Sequence, residues 1–123
     1  MIKIKVQLFG GRGVGSTRIR IVRGFSTKIH NGKQGKHIRG HNNYVEGKSR
    51  LTIPVSEAQK LINQHAGNKK NRWITPNKEK VDFGKPIGYW FNPNTGKYEE
   101  TQYGILHYSK DGVYLVPTGK DIY

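Results

Sequence analysis

The sequence contains no cysteine, no long apolar run and few acidic residues, and each of these shortages excludes a class of protein. Without cysteine the chain has no disulfides and no thiolate metal sites, and its redox compartment cannot be inferred. The fully apolar runs are only a few residues long, so no segment is predicted to cross or enter a membrane. The opening MIKIKVQLF alternates apolar and polar side chains, unlike the unbroken apolar stretch of a secretory signal. We therefore expect a protein without a signal peptide that acts in the cytoplasm of the producing cell or of a target cell.

Acidic residues number 8 against 22 lysines and arginines, which gives a formal net charge of +14 over 123 residues. Such a balance favours a polyanionic partner, nucleic acid first, or an acidic protein that covers the surface. The eight acids are scattered along the sequence, whereas two-metal nucleases need clustered carboxylates. We therefore predict no metal site and no cofactor.

The length suits one domain, which we predict to follow a basic N-terminal segment. Residues 1–25 are interpreted as this segment and residues 26–123 as the domain. The segment opens with an alternating strand, continues through GGRGVGST at 10–17 as a flexible linker, and ends in RIRIVRGF, a short edge strand or a basic arm. The glycine-rich run is not a Walker phosphate loop, because Ser16 stands where that loop needs lysine.

In the domain, apolar periodicity predicts one main helix followed by antiparallel strands. Ser56 and Gln59 suggest a capping box at the start of the helix, and Gly67 is expected to end it. The later patterns predict a strand over 81–91 that is interrupted near Pro86, and further strands over 98–109 and 113–117, with turns at 92–96 and 110–112. The expected fold class is α+β, with the helix packed on an antiparallel sheet of three or more strands.

The basic stretch KQGKHIRGHNNY holds two histidines four residues apart, His37 and His41. RNA cleavage without a metal needs a group that takes the 2′-hydroxyl proton, a group that protonates the leaving 5′-oxygen, and a cation beside the phosphate. Histidine suits both proton roles because its pKa lies near neutral pH. Zinc binding by this pair is disfavoured, since Gly40 lies between the two and the glutamate of the metalloprotease motif is absent.

A third histidine, His107, stands in the predicted strand ILHYS. If Leu106 and Tyr108 face the core, then His107 and Ser109 point into a cleft; otherwise His107 is a buried structural histidine. The residues alone leave these alternatives open. They also leave open whether the chain is a ribonuclease or a non-catalytic module that binds nucleic acid.

Four strings, KQGKHIRGHNNY, GKSRLT, KEKVDFGKPIGYW and TGKYEETQYGILHYSKDGVYLVP, resemble in this order the polymorphic toxin type 50 domain. The resemblance runs over about residues 33–117. It implies a ribonuclease of toxin type, similar to the group that joins barnase, the EndoU nucleases, colicins E and D and the RelE toxins. It also implies a small barnase- or RelE-like fold, cleavage without metal, and a dedicated acidic immunity protein.

The resemblance places the motif histidines of the family on His37, His41 and His107, which are expected to share the general acid and base work. Ser109 lies in the same matching string and is expected to donate a further hydrogen bond. The expected contacts to phosphate or RNA are four lysines and two tyrosines: Lys33, Lys36, Lys85, Lys110, Tyr89 and Tyr108.

The sequence departs from the family's pattern at Arg39, Lys48 and Tyr114. Tyr114 stands where the family often has a second histidine in the last strand. The opening QLFGGRG is similar to the start of phage structural proteins and suggests a phage-encoded protein, delivered or associated with a virion. An inert toxin-like domain in a phage structural protein is the alternative function. The sequence makes no prediction of oligomeric state.

Overall fold

The computed structural model describes residues 18–122 of the chain. Its elements, in chain order, are β1 (Ile21–Val22), β2 (Phe25–Ser26), α1 (Asn31–Gln34), the 3₁₀-helix η1 (Gly35–His37), β3 (Arg50–Leu51), α2 (Val55–His65), β4 (Arg72–Thr75), β5 (Lys78–Asp82), β6 (Gly88–Asn92), β7 (Lys97–Thr101), β8 (Tyr103–Ser109) and β9 (Gly112–Thr118). The predicted N-terminal strand and glycine-rich linker, in residues 1–17, lie outside the described residues.

The strands form three antiparallel sheets. β1 and β2 make a hairpin, β3, β6 and β7 form a three-stranded sheet, and β4, β5, β8 and β9 form a four-stranded sheet in that order. The predicted α+β class is confirmed, although strand residues outnumber helical residues in the described part and α2 is its longest helix. The helices within residues 18–122 are too short and too polar to span a bilayer.

The hydrophobic core lies between α2 and one face of the four-stranded sheet. Its members include Ala58, Leu61 and Ile62 of α2 and Val81, Leu106, Tyr108, Val113 and Leu115 of the sheet. Burial of each large apolar side chain contributes about 1.5–3 kcal/mol. On β8, Leu106 and Tyr108 point into this core, so His107 and Ser109 project from the opposite face. We call that opposite face the open face.

The start of α2 differs from the prediction. Pro54 is the N-cap and makes no side-chain capping bond, so the predicted capping box is wrong. Gln59 instead donates from Nε2 to the Thr27 carbonyl (2.7 Å) and accepts at Oε1 from the Ile29 N–H (2.8 Å). These bonds tie α2 to the segment that leads to η1. The helix ends before Gly67 as predicted, because the φ of +78° there suits glycine.

The two longest predicted strands, 81–91 and 98–109, are each divided between two sheets. The Thr101 carbonyl accepts from the Ile87 N–H (2.9 Å), whereas the next carbonyl along the chain accepts from the Phe83 N–H (2.9 Å). The chain therefore changes its partner at residue 102. β7 stays beside β6, and β8 begins beside β5.

Both predicted turns are confirmed. Residues 92–96 join β6 to β7 and residues 110–112 join β8 to β9. Gly96 and Gly112 have φ angles of +69° and +125°. A side chain at Gly112 would also collide with the Lys28 carbonyl, so glycine is needed there for space as well as for backbone angle.

The β1–β2 hairpin packs against the end of α2. Val22 is buried in the core, and the Arg20 guanidinium donates to the carbonyls of Asn63 (2.7 Å) and Ala66 (2.7 Å). An arginine in this place satisfies carbonyls that the helix end leaves unpaired. The predicted division after residue 25 thus falls inside β2.

Candidate active site

The segment after β2 runs along the outer edge of β9. The His30 N–H donates to the Val113 carbonyl (2.8 Å), and the Val113 N–H donates to the Lys28 carbonyl (2.9 Å). This parallel bridge pairs backbone groups that an edge strand would otherwise leave open. α1 begins directly afterwards, because His30 Nδ1 accepts the Lys33 N–H (3.1 Å) as its N-cap.

Gln34 continues the pairing along β9 with its side chain. Its Nε2 donates to the Leu115 carbonyl (2.9 Å), and the Leu115 N–H donates to its Oε1 (2.7 Å). The Gln34 side chain is 0 % exposed, so this amide replaces water for both backbone groups. We call these two bonds the Gln34 clamp. η1 follows at once, and the clamp thereby places His37 beside β9.

Two histidines from distant parts of the chain lie against one tyrosine ring. The ring centroids of His107 and Tyr114 are 4.8 Å apart at an interplanar angle of 29°. Those of His37 and Tyr114 are 6.1 Å apart at 20°. His107 and Tyr114 are direct partners in the β8–β9 register, so both project from the open face. We call His37, Tyr114 and His107 the His–Tyr–His cluster.

His37 is the buried member of the cluster, with 6 % of its surface exposed. Its Nδ1 lies 2.9 Å from the Ser49 carbonyl oxygen. Because a carbonyl only accepts, Nδ1 carries the proton and Nε2 keeps a lone pair. Burial lowers the pKa of His37; the Ser49 bond opposes this effect, and the charges of Lys48 and Lys36 add to it. The ring is therefore neutral at neutral pH.

His107 is half-buried on the open face. Burial, with smaller contributions from Lys78 and His37, lowers its pKa to about 4. Lys78 is its direct partner on β5, so Lys78, His107 and Tyr114 form one row across three strands. At neutral pH the His107 imidazole is thus uncharged and able to accept a proton.

A cleft of about 420 Å³ opens beside His107, between the open face and the three-stranded sheet. Its lining includes Ser49, Trp90, Phe91, Ile105, His107 and Val116. Ile105 and Val116 follow His107 and Tyr114 on the same strand faces, so the cleft continues directly from the cluster. Its volume lies in the range of small-molecule sites, and Trp90 and Phe91 give it aromatic walls.

Three lysines lie around the cluster without an acidic partner. Lys36 adjoins His37 in η1, Lys48 precedes Ser49, and Lys78 stands across from His107. The ion pairs found within residues 18–122 involve other side chains. Neutral imidazoles among unpaired ammonium groups provide positive potential for a phosphodiester together with proton acceptors.

Ser109 and Lys33 meet at the turn end of the open face. The Lys33 Nζ donates to the Ser109 Oγ (3.3 Å), and the Ser109 hydroxyl donates to the Gly112 carbonyl (3.2 Å). Lys110 is exposed in the same turn. Ser109 therefore shares the face of His107, as predicted, while its hydroxyl also holds the turn.

His41 lies in the exposed loop that follows η1. Its ring covers Gly35, where a side chain would collide with it, and its Nδ1 accepts the Asn43 N–H (3.0 Å). Within the described residues no ring contact joins it to Tyr114. Of the two histidines in the basic stretch, His37 is thus the one that the structure brings to the His107 side chain.

Tyr108 does not face the cleft, which corrects the expectation that it contacts RNA. It is 2 % exposed, and its ring stacks between Phe25 (5.6 Å) and Trp73 (5.5 Å) in the core. Its hydroxyl donates to Glu79 (2.7 Å), and burial raises the pKa of Tyr108 far above its usual range. A base could reach this ring only if the core opened.

Lys85 is also displaced from the cleft. Its ammonium group binds Glu57 of α2. Helix α2 covers the core face of the sheet, on the side opposite the cleft. The expectation that Lys85 holds phosphate is corrected for this reason. Tyr89 is exposed on β6 with Arg50 and Glu100 as its strand partners, and its contact with RNA stays a prediction.

Several residues of the site were not singled out by the sequence, among them Gln34, Ser49 and Lys78. Lys78 alternates with Lys80 in KEKVD, a signal that would have placed it beside His107 if the pairing of β5 with β8 had been known. The Gln34 side chain binds the backbone of Leu115, and Ser49 binds His37 through its own carbonyl. The sequence carries no local signal for either contact.

No three histidine or carboxylate side chains in the described part of the chain are placed to hold a metal ion. Glu79 is fully buried and accepts from Tyr108, from the Gly67 N–H (2.8 Å) and from Asn71 Nδ2 (2.9 Å). The groups that face the cleft therefore offer proton transfer and anion binding.

Comparison with models of known protein families gives a match over most of the chain. The family model described as Bacterial toxin 50 matches residues 29–117. The match begins at the parallel bridge to β9 and ends within β9, so it includes the whole His–Tyr–His cluster. No curated protein matches the chain.

Proposed function

This chain belongs to the bacterial toxin 50 family of polymorphic toxin domains, and on that premise we propose that it cleaves RNA without a metal ion. The observation that carries the proposal is the meeting of His37 and His107 at one tyrosine ring beside a cleft. A site that bound nucleic acid only for adhesion would have no need of two neutral imidazoles in contact with the same group.

His107 is the general base in this proposal, because it lines the cleft and is uncharged at neutral pH. Its imidazole takes the proton of a ribose 2′-hydroxyl, and the 2′-oxygen attacks the neighbouring phosphorus. The bond from phosphorus to the 5′-oxygen then breaks, and that oxygen takes a proton from the enzyme. The products are a 2′,3′-cyclic phosphate and a free 5′-hydroxyl.

His37 is the second imidazole of the site. The Ser49 carbonyl fixes its Nδ1 proton, so its Nε2 atom is the one free to accept or relay a proton on the cluster side. Burial and the Ser49 bond hold the ring in one orientation, which lowers the cost of ordering it in the transition state.

The scissile phosphate is held by the unpaired lysines of the site, Lys36, Lys48 and Lys78, with Lys33 and Lys110 at the turn end. Positive charge next to the phosphorane stabilises the charge that develops on its oxygens. Phe91 and Trp90 provide aromatic faces in the cleft, and stacking contributes roughly 1–3 kcal/mol per base.

An acidic immunity protein is the partner that we propose for the same surface. The net charge of +14 and the unpaired lysines favour an anionic cover. Such a protein would compete with RNA for the cleft.

Lys78→Gln is expected to reduce the salt dependence of RNA binding. Loss of one phosphate contact on a single strand reduces the slope of log K against log salt by about 0.7. The measurement is a fluorescence titration of 2′-O-methyl RNA, which lacks the attacking hydroxyl, at several salt concentrations. Lys85→Gln is the matched control, because this lysine binds Glu57 on the core side, and its slope should equal that of the wild type. Equal slopes for wild type and Lys78→Gln would exclude Lys78 from the phosphate site.

The proposed function is tested by incubating end-labelled single-stranded RNA with the protein in excess EDTA. We expect cleavage at the same rate with and without the chelator, and no cleavage of DNA of the same sequence, which has no 2′-hydroxyl. RNA that is bound yet stays intact would overturn the proposal in favour of a non-catalytic binding module. Cleavage that requires an added divalent cation would overturn the metal-independent mechanism.

A further inference from the structure

We propose that Tyr114 is the general acid of this site, whose phenolic proton passes to the departing 5′-oxygen. The inference rests on the proposed function and assigns the group that completes its second proton transfer.

Tyr114 lies next to the proposed base, His107. It is the direct cross-strand partner of His107, and its ring is the one that both histidines of the cluster contact. Val116, two residues along the same strand face, lines the cleft. A group placed here lies next to His107 on the same face of the sheet, so that both can approach one phosphodiester.

The Tyr114 hydroxyl has no hydrogen-bond partner within the described residues. Within residues 18–122 it makes no hydrogen bond to a protein group, in contrast to the hydroxyls of Tyr108 and Tyr98, which donate to Glu79 (2.7 Å) and to the Lys48 carbonyl (3.2 Å). The Tyr114 residue is half-buried. A hydroxyl without a protein partner is suited to donate to a ligand.

The protonation states of His37, His107 and Tyr114 favour Tyr114 as the acid. Burial lowers the pKa of both His37 and His107, so at neutral pH neither ring carries the additional proton of an imidazolium acid. Burial raises the pKa of Tyr114, so the phenol keeps its proton. The lysines around the site stabilise the phenolate that forms when the proton leaves.

The proton balance of the step is closed. His107 gains the 2′-hydroxyl proton, the bond between the 2′-oxygen and phosphorus forms, and the bond between phosphorus and the 5′-oxygen breaks. Tyr114 gives its proton to the 5′-oxygen. The resulting imidazolium and phenolate are neighbours, and transfer of the proton from His107 to Tyr114, directly or through water, restores both groups.

The test is Tyr114→Phe assayed on two RNA strands, one natural and one with sulfur in place of the bridging 5′-oxygen at a single linkage. A thiolate leaves without protonation, so loss of a general acid slows cleavage of the natural strand only. We expect the variant to cut the natural linkage at least about 100-fold more slowly than the wild type and the sulfur linkage within about threefold of it. Phenylalanine keeps the ring that stacks between the histidines, and thermal unfolding checks that the fold is intact.

Equal slowing on both strands would show that Tyr114 acts only by packing or positioning, and an unchanged rate on the natural strand would show that its hydroxyl is dispensable. Either result overturns the inference while the proposed function stands. If the wild type cuts neither strand, the proposed function itself fails, so the two failures are distinguishable.

Discussion

His107→Asn is expected to lower the rate of RNA cleavage by roughly 10²–10⁴-fold, the range that a positioned general base contributes. Asparagine keeps a polar side chain of similar size on the open face but cannot accept the 2′-hydroxyl proton. His107 is half-buried and outside the main core, so the substitution should leave the fold intact. Single-turnover cleavage of labelled RNA, with circular dichroism of the variant, measures both effects.

The matched control is His65→Asn, the same chemical change at a half-buried histidine outside the cleft. His65 stands at the end of α2 with its ring edge against Phe83 (5.3 Å), on the core side of the sheet. Its variant should cleave at the wild-type rate. If His107→Asn is folded and retains more than about a tenth of the activity, the assignment of His107 as the base is wrong.

Gln34→Ala is expected to lower the free energy of unfolding by about 2–4 kcal/mol. The substitution removes both bonds of the Gln34 clamp and leaves the N–H and carbonyl of Leu115 buried without partners, and each such group costs about 1–3 kcal/mol. The truncation also leaves a small cavity beside β9. Urea denaturation of both proteins measures the difference through the midpoint at a shared slope.

Gln64→Ala is the control for this change, because Gln64 is exposed on α2 and its loss should alter stability by no more than about 0.5 kcal/mol. A Gln34→Ala protein as stable as the Gln64→Ala protein would show that water or a rearranged chain replaces the clamp. In that case another contact must be what brings His37 to Tyr114.

The strand pattern around His107 could be predicted because alternation is a local property. Alternation puts Leu106 and Tyr108 on one face of the strand and His107 and Ser109 on the other. The turns on either side were equally predictable, since asparagine, aspartate and glycine mark them directly. Which of the two faces is the core stayed open from the sequence, and the burial of Leu106 and Tyr108 in the structure decides it.

The approach of His37 to this face could not be predicted, because it depends on a side chain that imitates a β-strand. Gln34 lies among lysines and glycines in the sequence, where a solvent-exposed side chain would be the ordinary expectation. Only the pairing of residues 28–30 with the edge of β9 reveals that its amide faces Leu115. Side-chain pairing of this kind leaves no periodic pattern to recognise.

The same limit applies to Glu79. It lies between two lysines in KEKVD, a pattern typical of an exposed strand, yet it is fully buried. Its carboxylate accepts hydrogen bonds from the Tyr108 hydroxyl, the Gly67 N–H and Asn71 Nδ2. These three donors show no common pattern in the sequence. The Tyr108 hydroxyl is bound to this buried carboxylate, so it is not available to RNA.

The central claim is that the His–Tyr–His cluster cleaves RNA by attack of the RNA's own 2′-hydroxyl on the neighbouring phosphorus. The most direct measurement is analysis of the RNA ends produced in excess EDTA by the wild type and by His107→Asn. We predict new ends carrying 2′,3′-cyclic phosphate and 5′-hydroxyl from the wild type, and none above background from the variant. Ends carrying 5′-phosphate, or the same cyclic ends from both proteins, would contradict it.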